Sequence, residues 1–205
     1  RFKTPGLTSA IAEPSQSLWR TDANTFLVLE YTGSGYTSGS WSGSSVDPYN
    51  EYATLKLISS GDSASVYLPF FDGGWWSVAA TREGNNFNLY AANNIYDGWD
   101  GSTIGFQASA SLNSSAGASE WGNGTTSHFP SGSNTYTPFS GSYQEIRYYS
   151  VALSQSVFDD FVMNPQSMEG NSTNSAPDQL AFRAALGGEL YTGSVSIHPK
   201  VTGSW

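Results

Sequence analysis

At 205 residues, with 12% charged, 15% aromatic and no cysteine, the chain has the length of one large β domain and a composition suited to short strands joined by polar turns. Its net charge of −9 and its eight scattered Lys and Arg residues exclude a basic stripe for nucleic acid. No apolar run approaches the ~20 residues that span a bilayer, the opening RFKTPGLTSAIAEPSQ lacks a signal peptide's apolar core, and the lack of cysteine removes disulfides, thiolate nucleophiles and cysteine-based zinc sites.

Taken in chain order, alternation of apolar and polar residues predicts strands at TFLVLEYT (25–32), YATLKLI (52–58), ASVYLPF (64–70), WWSVAAT (75–81), FNLYAA (87–92), IGFQASASL (104–112) and SYQEIRYYS (142–150). The connections FDGG (71–74) and REGNN (82–86) are too short for parallel crossovers, so antiparallel hairpins and two packed sheets follow. Trp75 and Trp76 alternate on one strand, which places at least one of them in the core.

In the last strand, Tyr143, Glu145, Arg147 and Tyr149 share one face, and Gln144, Ile146 and Tyr148 the other. The Ile146 face is expected to turn inward. Ser154 then suits an N-cap, with Leu153 before it and Phe158 four positions into a helix, the spacing of a hydrophobic staple. Leu153, Val157, Phe158, Phe161 and Val162 form one apolar stripe, and Asn164-Pro165 stops the helix. So short a helix is unstable alone, so the stripe is expected to dock on a sheet edge or at a sandwich end.

The segment FSGSYQEIRYYSVALSQSVFDDF (139–161) resembles the closing signature of laminin-G-like domains of the concanavalin A-like lectin/glucanase superfamily: Glu-hydrophobe-Arg, an aromatic pair, Ala-Leu-Ser and a short helix. Upstream, WWSVAATREGNNFNLYAAN (75–93) is similar to the same family's central hairpin. The resemblance implies an all-β, concanavalin A-like antiparallel β-sandwich, a jelly roll with one short helix after the last main strand. It divides the chain into a lead-in (1–17), the laminin-G-like sandwich (18–163), and a linker and extension toward a further module (164–205). In that extension DQLAFRAALGGEL (178–190) offers one further strand. NPQSMEGN followed by LAFRAALGGEL and SIHPK is similar to connecting segments in large bacteriophage tail or capsid-associated proteins.

Glycosidases need two carboxylates across one bond, and glucanases on this fold carry a Glu-x-Asp-x-x-Glu type motif that this sequence lacks. Glu145 has a strand context suited to a catalytic acid, but Arg147 on the same face would hold it ionised and makes an ion pair the better reading. Asp159 and Asp160 read as a solvated helix face. His128 and His198 have no metal-ligand spacing, and no nucleophile elbow or phosphate-cradling loop occurs. A non-enzymatic role is expected.

What the loops do carry is aromatics: Tyr36, Trp41, Tyr96, Trp99 and Trp121, set among Gly, Asn and Asp. Such rings suit the flat face of a sugar while neighbouring amides and carboxylates take its hydroxyls; the alternative is that each caps an end of the sandwich. No cofactor is expected beyond a calcium ion at DGWDG (97–101), with Asp97 and Asp100 as its candidate ligands and a simple turn as the alternative. The expected role is therefore a recognition and adhesion module on an extracellular or virion surface, with a glycan or neighbouring protein subunits as partner. Purely structural decoration of a capsid or tail is the alternative, and a glycosidase the least favoured one.

Overall fold

The computed structural model describes residues 1–4, 15–20, 25–31, 51–96, 102–115, 136–167, 177–186 and 201–203. These residues form an all-β sandwich of two five-stranded sheets, with a smaller third sheet beside them. The strands are β1 (Phe2–Lys3), β2 (Ser15–Arg20), β3 (Thr25–Glu30), β4 (Ala53–Ser59), β5 (Asp62–Leu68), β6 (Trp76–Glu83), β7 (Asn86–Tyr96) and β8 (Ser102–Asn113). They are followed by β9 (Thr137–Pro138), β10 (Ser142–Tyr143), β11 (Ile146–Tyr149), the helix α1 (Gln155–Met163), β12 (Leu180–Ala184) and β13 (Val201–Gly203). The first sheet has the order β10-β1-β6-β7-β8, the second β5-β4-β3-β2-β9 and the third β11-β12-β13. All pairs are antiparallel except β2 with β9.

Period-two patterning builds the two main sheets. Along β4 the buried positions are Ala53, Leu55, Leu57 and Ser59, and the residues between them are only partly buried. They face Leu89, Ala91 and Trp76 of the first sheet in one continuous core, to which Leu27 and Leu29 of β3 and Val66 and Leu68 of β5 also belong. Of the Trp75-Trp76 pair, Trp76 is fully buried and Trp75 only partly. The Trp76 indole N–H donates to Asp72 Oδ1 at 3.1 Å, which leaves the ring free to pack on Phe70 at 4.7 Å. The β4–β5 hairpin closes through Ser60 (φ 49°) and Gly61 (φ 96°), the two left-handed positions whose twist matches that of the flanking strands.

The helix forms as expected. The Ser154 hydroxyl accepts the Val157 N–H, and Val157, Phe158 and Val162 are buried. It docks on the outer face of the first sheet, over Ala92, Tyr90, Ala79 and Ile104, and not on a sheet edge or sandwich end. The reason lies in the sheet: small Ala79 and Ala92 leave a shallow apolar seat where Tyr90 stacks on Phe158 at 5.8 Å. Asp159 is not simply solvated, since it is partly buried and accepts a hydrogen bond from Gln107 of β8.

Two expectations are corrected. The predicted strand 142–150 is two strands, because Glu145 adopts φ 52°, a conformation outside the extended region that ends regular pairing. Ser142–Tyr143 stays in the first sheet, while Ile146–Tyr149 passes into the third. The inward side is also reversed at this corner. Glu145 is buried at 6% exposure while Ile146 is half-buried, because two arginines meet the carboxylate there. Contacts also run past both ends of the 18–163 segment. Phe2 lies in the core against Phe70 and Phe139, at 5.8 and 5.6 Å, and β12 pairs with β11 from Ile146↔Ala184 to Tyr149↔Leu180.

The substitution Phe158→Ala is expected to cost about 3 kcal/mol or more, the range for removing a buried aromatic from a packed contact, measured as the shift of the urea midpoint at constant slope. A midpoint within error of the parent would show that α1 contributes nothing to the fold's stability.

Candidate functional site

The sheets position two groups of chemistry-bearing residues: an exposed aromatic end on the β7–β8 hairpin and a cleft beside the buried Glu145. Of the aromatics singled out in the sequence, Tyr96 is described. The sequence reading sets it in a loop after a strand ending at residue 92, but β7 runs on to Tyr96, which ends the strand at 72% exposure. Tyr36, Trp41, Trp99 and Trp121, with Asp97 and Asp100, lie outside the described residues. Among the described residues no three His, Cys, Asp or Glu side chains converge as a metal site would require.

The hairpin's outer end is built by a bulge. Between Ala92↔Gln107 and Asn94↔Ile104, β8 advances one residue more than β7, so Gly105 and Phe106 together oppose Asn93. Asn93 fills the irregularity from its side chain, accepting the Phe106 N–H at Oδ1, 2.7 Å away. A Cβ on Gly105 would fall 2.1 Å from Ile95 Cδ1, so only glycine allows Ile95 to lie across the bulge. Past this bulge the hairpin exposes Tyr96 together with Ile95 at 44% and Phe106 at 41%. Strand alternation puts Tyr96 on the face it shares with Asn94, Ala92 and Tyr90, and Ile95 on the other.

The second group surrounds Glu145. Arg183 grips the carboxylate with both ends of its fork, Nε to Oε2 at 2.9 Å and Nη2 to Oε1 at 2.8 Å, while Arg147 adds Nη2 to Oε2 at 3.2 Å. Both guanidiniums also cap backbone after the helix, Arg147 on the Pro165 carbonyl (2.6 Å) and Arg183 on that of Gln166 (3.0 Å). Arg147 further lies 4.5 Å from the Phe161 ring centre. Burial alone would raise the Glu145 carboxyl. The hydrogen bond from Arg183 and the charges of Arg147 and Arg183 outweigh it and hold the group below the usual carboxylate range. Glu145 is thus a fixed anion and not a proton donor, which agrees with the ion pair expected from Arg147 on the same face.

Arg183 is the partner that the sequence reading missed. Its signal was one charge inside the otherwise apolar LAFRAA (180–185), since an arginine on a buried strand needs a carboxylate. Beside this group opens a cleft of about 440 Å³, lined by Ser77–Arg82 of β6, Glu145–Tyr149, and Leu153, Phe158 and Phe161. Tyr143 borders it too. Burial raises its hydroxyl pKa, and the group donates to the Leu18 carbonyl at 2.7 Å.

Because the folded-state pKa of Glu145 is depressed, the stability it contributes is present above its unfolded value near 4.3 and is lost as pH falls through the lower folded value. Urea unfolding of the parent and Glu145→Gln is expected to show a clear deficit for the variant at pH 7 that narrows below about pH 4. A deficit independent of pH would mean that the charge contributes nothing. Arg183→Met is expected to cost about 3 kcal/mol at pH 7, since it breaks one side of a buried pair. No family model matches the chain, and neither a curated protein nor a solved structure does.

Proposed function

We propose that the chain is a non-catalytic recognition module that binds carbohydrate at the Tyr96 end of the β7–β8 hairpin, within a larger extracellular or virion protein. The observation that carries this reading is Tyr96, 72% exposed at the end of a strand whose geometry the adjacent bulge fixes. A ring held on a rigid strand stacks on a sugar face at little entropic cost, and Asn94 on the same side of β7 offers an amide to hydroxyls. The charge-locked Glu145 supports a binding role, because a carboxylate held ionised by two guanidiniums is unsuited to general acid catalysis. The same reading makes the sandwich a concanavalin A-like jelly roll of laminin-G type. In support, the two segments that resemble that family fall on the β6–β7 hairpin and on the run from β10 into α1.

A glycan array on the parent, followed by titration of the best ligand, is expected to show about fivefold weaker binding for Tyr96→Ala, equivalent to ~1 kcal/mol of lost ring contact. Its melting temperature should stay unchanged, because the side chain is exposed. A parent that binds no glycan would sink the carbohydrate reading.

A further inference from the structure

Strand β8 stands at the end of the first sheet opposite β10, and two hydrogen bonds fix which way its backbone groups point. The Ser114 N–H donates to the Asn85 carbonyl at 2.9 Å, and the Phe106 N–H to Asn93 Oδ1 at 2.7 Å, so both are turned toward β7. Successive residues of a strand turn these groups to opposite sides. Ala108, Ala110 and Leu112 therefore also bond toward β7, while Gln107, Ser109, Ser111 and Asn113 point away from it. Among the described residues no strand pairs with that outer side.

Open edges in monomeric proteins are normally short or carry Lys, Pro or another charge that prevents pairing. The other end strands of the two large sheets follow that rule: β10 and β9 have two residues each, β9 with Pro138, and β5 begins at the exposed Asp62. β8 breaks it. It has 12 residues with no charge and no proline among them, and its bulge lies before Gln107, which leaves the pairing regular from there to Asn113.

We propose that β8 pairs antiparallel with β8 of a second copy about a two-fold axis at Ser109, so that one continuous sheet runs through both molecules. The edge's own chemistry selects a twin. Two chains of net charge −9 repel each other, so they meet best where neither brings a charge, as along Ser102–Asn113. An axis at Ser109 sets Ser109 opposite itself and Gln107 opposite Ser111, and these are the residues with outward N–H and C=O groups, which then bond in both directions. On the core side Ala108 meets Ala110 and Phe106 meets Leu112. Ala108, Ala110 and Leu112 already belong to the main core, and Phe106 lies 6.3 Å from Trp76 at 41% exposure, so the partner's leucine extends that core over the open ring. Moving the axis to Ala110 would set Phe106 against Ser114 and leave the ring uncovered. The pairing does not rest on the carbohydrate reading. Tyr96 pairs with Ser102, seven positions before the axis, so the two Tyr96 ends face away from each other, roughly 45 Å apart along the shared strands.

The test is sedimentation equilibrium on the whole chain, with cross-linking to check the register. The parent is expected to show a concentration-dependent dimer. Ser109→Pro removes an outward N–H where an edge strand tolerates proline, and Ser109→Lys sets two ammonium groups face to face at the axis; each should weaken the dimer about tenfold or more. Ser109 is exposed, so the lysine variant should melt as a normal monomer and keeps the test decisive where the proline variant fails to fold. Because the chain has no cysteine, Ser109→Cys carries the only thiol, and mild oxidation should link it to its counterpart. Val151→Cys, at an exposed site outside β8, should stay unlinked. A parent that remains monomeric up to about 1 mM would overturn the proposal, as would a dimer that Ser109→Lys leaves intact. Equal linking of the two cysteine variants would dismiss the pairing at Ser109.

Discussion

One buried carboxylate organises the side of the molecule where the first sheet gives way to the third. Glu145 adopts a left-handed backbone, so the chain leaves one sheet at that residue and enters another. A charge this deeply buried is stable only with full compensation, and the compensation comes both from the neighbouring strand and from far along the chain. Arg147 lies on the next strand and Arg183 on β12. Each arginine spends a remaining donor on a carbonyl just after α1, so one ion cluster fixes the corner, the exit of the helix and the strand that follows it. The Glu145 N–H donating to the Ala185 carbonyl at 3.3 Å closes the same knot through the backbone.

The first sheet is consequently used on both faces. Its inner face shares the main core with the second sheet through Leu89, Ala91 and Trp76, and its outer face carries α1 on Ala79, Tyr90 and Ala92. On the β7–β8 side, a bulge filled by Asn93 and a glycine under Ile95 hold a hairpin end with Tyr96 uncovered. Beside β6 lies a cleft lined by apolar side chains together with Arg1, Arg82, Glu145 and Arg147.

Much of the fold was legible along the chain wherever one pattern decided one element. The β4 alternation, the short β6–β7 connection and the Ser154 cap with its apolar stripe are local signals, and the strands, hairpin and helix they predict are all present. β1 and β9 escaped because two residues show no period, and β2 because Ser15–Arg20 has buried polar Gln16 and Ser17 where alternation expects apolar residues. At 142–150 the period was real, but it breaks at Glu145 and misassigned the inward side. Of the candidate ligand residues, Tyr96 was set in a loop and instead ends β7, because the alternation that marks β7 fades over Asn93–Tyr96, while the Glu145–Arg147 pair was legible from its spacing.

By itself, then, the sequence determined the all-β class, most strands, the helix and the acidic, cysteine-free character, because each depends on residues within a few positions of one another. Only the tertiary structure decided where the helix seats, that Arg183 completes the Glu145 cluster from 38 residues away, and that Phe2 belongs to the core. These are matters of which distant segments meet, and the burial of a charge has no local signature from which its partner could be read.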